Sequence, residues 1–303
     1  MYYDSKVILF FMKLNNLYNP YENALDGLVL DNPVFAFFQF CKDREEIRLK
    51  RESGLTAPWS DDIIFQKGRF LNVFREDDRV SKAIIQFINQ IECDFPTLVQ
   101  AIFFSRWCNR QETLDILNPN LLNNPDEFGN FLKSIDPWCN KTAYPVEPVL
   151  WENKIYSRMD TAVHVFRASK EKLSDIIINS NGSVIDATNG INQVFKMKND
   201  FPIFMAVMDI AWFRPDIIKP ESNVPVGIGA IAYIDILKSY LKLYNDEELF
   251  FKMIKLQKKY WPEAKRDFHP IDIEYLACEC RKYFSYVNGT KLFEGKNFFQ
   301  PKK

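Results

Sequence analysis

Three groups of residues in this sequence have the types and spacing to do chemistry. The first is Pro225-Val-Gly227-Ile228-Gly229-Ala230. Its two glycines carry no Cβ, so backbone N–H groups there can come close to a phosphate at a helix N-terminus. Extended to Ala232, the run has the outline of a dinucleotide fingerprint. That fingerprint needs a preceding strand, and Pro220, Pro225 and a polar loop stand there instead. The second group is Pro58-Trp59-Ser60-Asp61-Asp62 followed by Phe70 to Arg79. On a helix, Asn72, Arg75 and Arg79 share a face, with Asp78 able to pair with Arg75 or Lys82. These polar residues interleave with Phe70, Val73 and Phe74, and charges beside a core are normally paired or functional. The third group runs from Asp272 to Tyr283. Glu274, Cys278 and Arg281 fall on one face, Leu276, Cys280, Tyr283 and Val287 form a packing stripe, and Glu279 points elsewhere, near Asp272 and Lys282.

Other chemistries find little support. There is no G-x-x-x-x-G-K-[ST] run. His164 sits between two valines, which suits a structural role, and His269 before Pro270 suits a helix start, so histidine triads and histidine metal sites lose their basis. Lys282, with Asp272 and Glu279 nearby, reads as a charged structural lysine rather than an amine nucleophile.

The elements that must position these groups are mostly helical. The 3.6-residue period predicts helices over 33–52, 66–92, 96–109, 159–179, 188–197, 201–213, 229–244 and 270–287. Asn124 with Pro125, Asp126 and Glu127 marks another start. Asn245 with Glu248 resembles a capping box, opening a helix with an apolar stripe opposite Lys252, Lys255, Lys258 and Lys259. A short strand or hairpin is expected near Tyr144 to Tyr156. The chain is expected to form one unit over 1–303 or two helical lobes with a seam near 137–156. Helices before and after Pro225–Ala230 give that run two readings: the hairpin of a helix–hairpin–helix DNA-binding unit, with Gly227, Ile228 and Gly229 at the backbone, or an ordinary interhelical turn.

Composition bounds the class. Of 303 residues, 47% are hydrophobic and 15% aromatic, with 27 Phe and only 10 Gly, which excludes disordered and collagen-like chains. The net charge is −1, so no global field recruits nucleic acid. The charge is uneven: residues 250–303 hold twelve basic and six acidic residues, a surplus of +6 against −7 in residues 1–249. The six cysteines are scattered without C-x-x-C spacing, and no apolar run approaches a membrane span. The expectation is a cytoplasmic protein without disulfides, metal or membrane contact, and with no obligate protein partner evident.

Taken together, Pro58 to Asp62, Phe70 to Arg79 with its Asn-x-x-Arg-x-x-Asp-Arg core, Asn109 to Thr113, Val226 to Gly229 and Asp272 to Tyr283 resemble the helical domain of 5-hydroxymethyluracil DNA kinases. Relatives of that domain, described as thymine pyrophosphorylases or base-hypermodification proteins, are similar to helix–hairpin–helix DNA glycosylases. The resemblance covers about residues 33–290. It implies a mostly α, glycosylase-like fold and functional roles for Trp59, Asp62, Asn72, Arg75, Asp78, Arg79 and Glu274. The sequence lacks the P-loop domain of the fused kinases, so their phosphorylation chemistry does not carry over. Phage-defence glycosylases that excise glucosylated hydroxymethylcytosine are also helical proteins of about this size, and the chain is similar to them.

The resulting expectation is hydrolysis of the N-glycosidic bond of a hydroxymethylated or glucosylated pyrimidine in DNA. The oxocarbenium-like sugar of that reaction wants a carboxylate, Glu274 or Asp62, and no cofactor. Trp59, Asn72, Arg75, Asp78 and Arg79 would bind the flipped base. The alternatives are a base-hypermodification transferase using the same pocket and a non-catalytic reader of modified DNA.

Overall fold

The computed structural model describes residues 21, 23–140 and 148–291. The chain divides into two compact units. One combines the residues up to Val73 with those from Pro225 onward, and the other is the continuous stretch Phe74–Val224. The stretch 137–156, expected as a seam, lies inside the second unit.

The first unit is built around its last helix, Pro270–Val287, in which 14 of 18 residues are buried. That degree of burial marks a central element, and the helix packs on each of the unit's other four: Pro33–Glu52, Ile63–Lys67, Ile231–Leu241 and Asp246–Tyr260. His269 starts it as expected, in a capping box with Asp272, which is itself fully buried and paired with Arg266. Stacked aromatics fill the space between helices, with Phe38 5.5 Å from Tyr260 and Tyr233 5.6 Å from Phe284. Val287, expected in the packing stripe, is instead 52% exposed, because it occupies the helix's last turn.

The second unit centres on Phe95–Cys108, buried on every side from Val99 onward and packed against Phe166–Ile178 and Phe201–Phe213. Asp94 caps it by accepting the Thr97 N–H at 2.9 Å. Pro125–Lys133 begins at Asn124 as expected. Strands Val149–Trp151 and Lys154–Tyr156 pair antiparallel, with Leu150 opposite Ile155. Glu152 and Asn153, both at positive φ, make the two-residue turn that suits such a hairpin. The expected hairpin region was wider, and its residues 144–147 lie outside the described residues.

One expected helix does not exist. In place of 66–92 the chain forms Ile63–Lys67, an irregular stretch, a 3-10 turn at Arg75–Asp77 and a helix at Arg79–Ile88. Gly68 turns to extended backbone so tightly that a Cβ there would lie 2.5 Å from the Phe70 ring and 2.7 Å from the Ile64 carbonyl oxygen. Elsewhere the boundaries shift by a few residues. Val184–Phe195 starts early because Ser183 caps it, and Ile231–Leu241 starts after Gly229 and ends where Lys242 turns left-handed.

Candidate functional site

In the first unit the Pro270–Val287 helix gathers most of the residues singled out in the sequence, on two sides. Glu274, Cys278 and Arg281 do share a face, and that face seats the Pro225–Gly229 turn. Gly227 donates its N–H to Glu274 Oε1 at 3.0 Å, and Arg281 Nε donates to the Gly229 carbonyl at 3.0 Å. A Cβ on Gly229 would stand 2.7 Å from Cys278 Sγ, and one on Gly227 3.2 Å from Glu274 Oε1. The close approach that requires glycine is therefore to the protein's own helix. Glu274 is 7% exposed, whereas Gly227 and Ile228 face solvent. The N–H groups of Ile228 and Gly229 donate to no described residue.

About 100° around the same helix, Tyr275 donates its hydroxyl to the Asn72 carbonyl at 3.0 Å and to the Val73 carbonyl. Glu279, expected near Lys282, accepts from Lys282 Nζ at 2.8 Å and also from the Leu71 N–H at 3.0 Å. Asp272, expected beside it, is engaged by Arg266. The Asn72 side chain is 5% exposed and accepts from Arg44 Nη2 at 2.7 Å. Arg44, on Pro33–Glu52, was not singled out in the sequence.

A turn further along, Tyr283 donates its hydroxyl to Asp62 Oδ2. Asp62 Oδ1 accepts the Ile64 N–H at 2.7 Å, so this carboxylate caps Ile63–Lys67. Burial, the bond to Asp62 and the charges of Asp62 and Asp43 all push the Tyr283 hydroxyl above the ordinary tyrosine range. Burial likewise raises Asp43, with Glu46 and Asp62 adding to it against the bond from Gln39. Trp59 is half-buried, its indole N–H fixed on the Leu55 carbonyl at 2.7 Å.

The second unit holds Arg75, Asp78 and Arg79. With no helix spanning 66–92, Asn72, Arg75 and Arg79 do not share a helical face, since the chain changes conformation at each of them. Arg75 is 7% exposed. Its Nη2 lies 3.6 Å from Asp209 Oδ1, its Nη1 2.9 Å from Met205 Sδ, and its guanidinium 5.5 Å from the Trp212 ring centre. Asp209 is fully buried and takes Arg106 in a two-pronged pair, with Nη2 at 2.7 Å from Oδ1 and Nε on Oδ2. Asp78 is the N-cap position of Arg79–Ile88. Arg79 is exposed beside Glu112 at 3.6 Å. His164 is exposed in a π-helical turn, Thr161–Val165, rather than tucked between its valines. It lines a cavity of about 300 Å³ together with Asp126, Lys133 and Asp160, and none of the expected site residues is there.

This pattern, with a glutamate on a glycine turn and Asn72 held through its carbonyl by Tyr275 of the same helix, coincides with a family match. The family described as 5-hmdU DNA kinase, helical domain, matches residues 32–290. The chain belongs to this family. Membership in the 5-hmdU DNA kinase helical-domain family places the protein among domains that serve the enzymatic modification of DNA. No curated protein and no solved structure matches the chain. No described helix is long and apolar enough to cross a membrane.

Proposed function

We propose that this chain processes 5-modified pyrimidines in DNA by hydrolysing their N-glycosidic bond, with Glu274 as the carboxylate at the sugar. The observation that carries the reading is the 3.0 Å bond from the Gly227 N–H to Glu274 Oε1. It makes a carboxylate and a solvent-facing glycine turn one structural piece. A phosphate taken by the undonated N–H groups of Ile228 and Gly229 would bring the anomeric carbon of its own nucleotide, one sugar ring away, toward that carboxylate. Asp62 is the second candidate; it stands away from the glycine turn, with one oxygen at a helix cap and one at Tyr283.

Trp59, with its indole held in place, would stack on the extruded base, and Asn72, fixed by Arg44, would read its edge. The base-binding role that the resemblance implies for Arg75, Asp78 and Arg79 is not part of this reading, because those residues belong to the second unit and Arg75 is engaged by Asp209. The reaction as written needs water and no cofactor.

The test follows free base and alkali-sensitive abasic sites on DNA carrying hydroxymethylated or glucosylated pyrimidines, under single-turnover conditions. Glu274→Gln keeps the side chain's size, so it should bind the DNA and lose about 10²-fold or more in rate. Asp62→Asn should lose less. Base release that survives in both variants removes the mechanism, and a base that gains mass while still attached to DNA establishes a transferase instead.

A further inference from the structure

We propose that the solvent face of the Asp246–Tyr260 helix is a second DNA contact, a lysine stripe that follows the phosphate backbone. Glu247, Glu248, Phe251, Lys252, Lys255, Lys258 and Lys259 are exposed on one side of this helix, while Leu249, Phe250, Met253 and Gln257 are buried on the other. Lys258 reaches Asp267 at 3.6 Å. Lys252, Lys255 and Lys259 form no ion pair with any described residue. These three charges are held in no ion pair with the acids at the start of the helix, within the part of the sequence that carries the +6 surplus.

Two ordinary explanations fall short. Lysines near a helix C-terminus are favoured by the backbone dipole, but that effect ends within the last turn. It covers Lys258 and Lys259 and leaves Lys252 and Lys255 out. A merely solvated face does not call for Phe251, which stands at the N-terminal end of the stripe at 60% exposure, with Lys255 Nζ 4.0 Å from its ring centre. An exposed aromatic among unpaired cations suits a partner that offers anionic oxygens together with flat apolar surface.

A DNA strand offers both, in its phosphates and its sugars. From Lys252 to Lys259 the helix advances about 10 Å. A strand carries one charge per about 3.4 Å of duplex axis, so the three unpaired lysines can meet about three phosphates. Lysine's point charge gives attraction without base readout, which suits a surface that holds the flank of a site while other residues choose the base. The inference rests on the reading that DNA is the substrate, and it does not depend on which bond is broken.

The experiment titrates the full chain with an unmodified fluorescent duplex at several KCl concentrations, so base release plays no part. Neutralising all three lysines (K252Q, K255Q and K259Q together) should weaken binding about tenfold or more at low salt. It should also reduce the slope of log affinity against log salt by about 2.7, at 0.9 per phosphate contact. The same three positions changed to arginine should keep the slope, which controls for folding. An unchanged slope in the glutamine variant overturns the proposal, as does an equal loss in the arginine variant. Loss of binding to anionic vesicles with DNA affinity retained would also overturn it, by making the stripe a lipid contact. If wild-type protein shows the expected slope and no base release on any modified DNA, the glycosylase reading fails and this one stands.

Discussion

Gly229 separates a phosphate-binding turn from a merely structural one more sharply than the carboxylates do. Its missing Cβ makes room for Cys278, whose Sγ would lie 2.7 Å from a Cβ at that position, so Gly229→Ala should push the turn off the helix and loosen the Gly227–Glu274 bond with it. Overpacking of this kind costs about 1–3 kcal/mol. Trimming the thiol should make room, so Gly229→Ala with Cys278→Ala should recover most of the lost unfolding midpoint. If the double variant recovers stability and also DNA affinity, the glycine serves only packing. If stability returns and affinity does not, the turn's own geometry is what DNA reads. The sequence could show that the two glycines need a close neighbour, but it could not name the neighbour. Gly229 and Cys278 are 49 positions apart, and each looks unremarkable alone. Asp209 was legible and was missed. A lone carboxylate inside the apolar run Phe201–Phe213 has no tolerable fate except pairing, and Arg106 and Arg75 supply it.

Helices were readable where the chain punctuates them. Pro33–Glu52, Phe201–Phe213 and Pro270–Val287 match the expected limits because each has a proline in its first turn and a clear stop. The region 66–92 was not, because Phe70, Val73 and Phe74 repeat at helical spacing while Gly68 breaks the backbone. Local conformation prevailed over periodicity there. Pro33–Glu52 also carries a charge arrangement with a measurable consequence. Asp43 faces Glu46 three residues on and the helix-capping Asp62, and with burial leading, its carboxyl is held above the ordinary aspartate value. A raised carboxylate means the folded chain prefers the protonated form. Asp43 therefore adds nothing unfavourable below its unfolded value, and its penalty is complete once pH has risen above its folded value. Asp43→Asn should raise the unfolding midpoint at pH 7 and converge with wild type near pH 3. Thermal unfolding across that range checks it, and an equal shift at both ends would mean that the gain is not electrostatic.

The two compact units differ in how the sequence builds them. The first joins residues separated by the whole of the second, and its contacts have long reach: the Tyr275 hydroxyl meets the Asn72 carbonyl 203 positions away. It cannot be completed until Pro270–Val287 is available, since that helix touches each of the unit's other helices. The second is one continuous stretch, with its own central helix and a charged fastening between its ends. Arg75 near its start and Asp209 near its finish meet beside Arg106 of Phe95–Cys108. A fragment spanning residues 74–224 should therefore fold alone, with a single cooperative thermal transition. A fragment spanning residues 1–224 should show the same transition while its first 73 residues are cleaved rapidly by protease, because their partner helix is missing. Within the 74–224 fragment, Asp209→Asn removes the buried carboxylate that Arg75 and Arg106 share and should cost about 3–5 kcal/mol. Arg79→Ala, at an exposed pair with Glu112, should cost under about 1 kcal/mol. If the fragment melts without cooperativity, the second unit depends on the first for its stability. If it melts cooperatively and Asp209→Asn leaves the midpoint unchanged, the fastening is not what holds its ends.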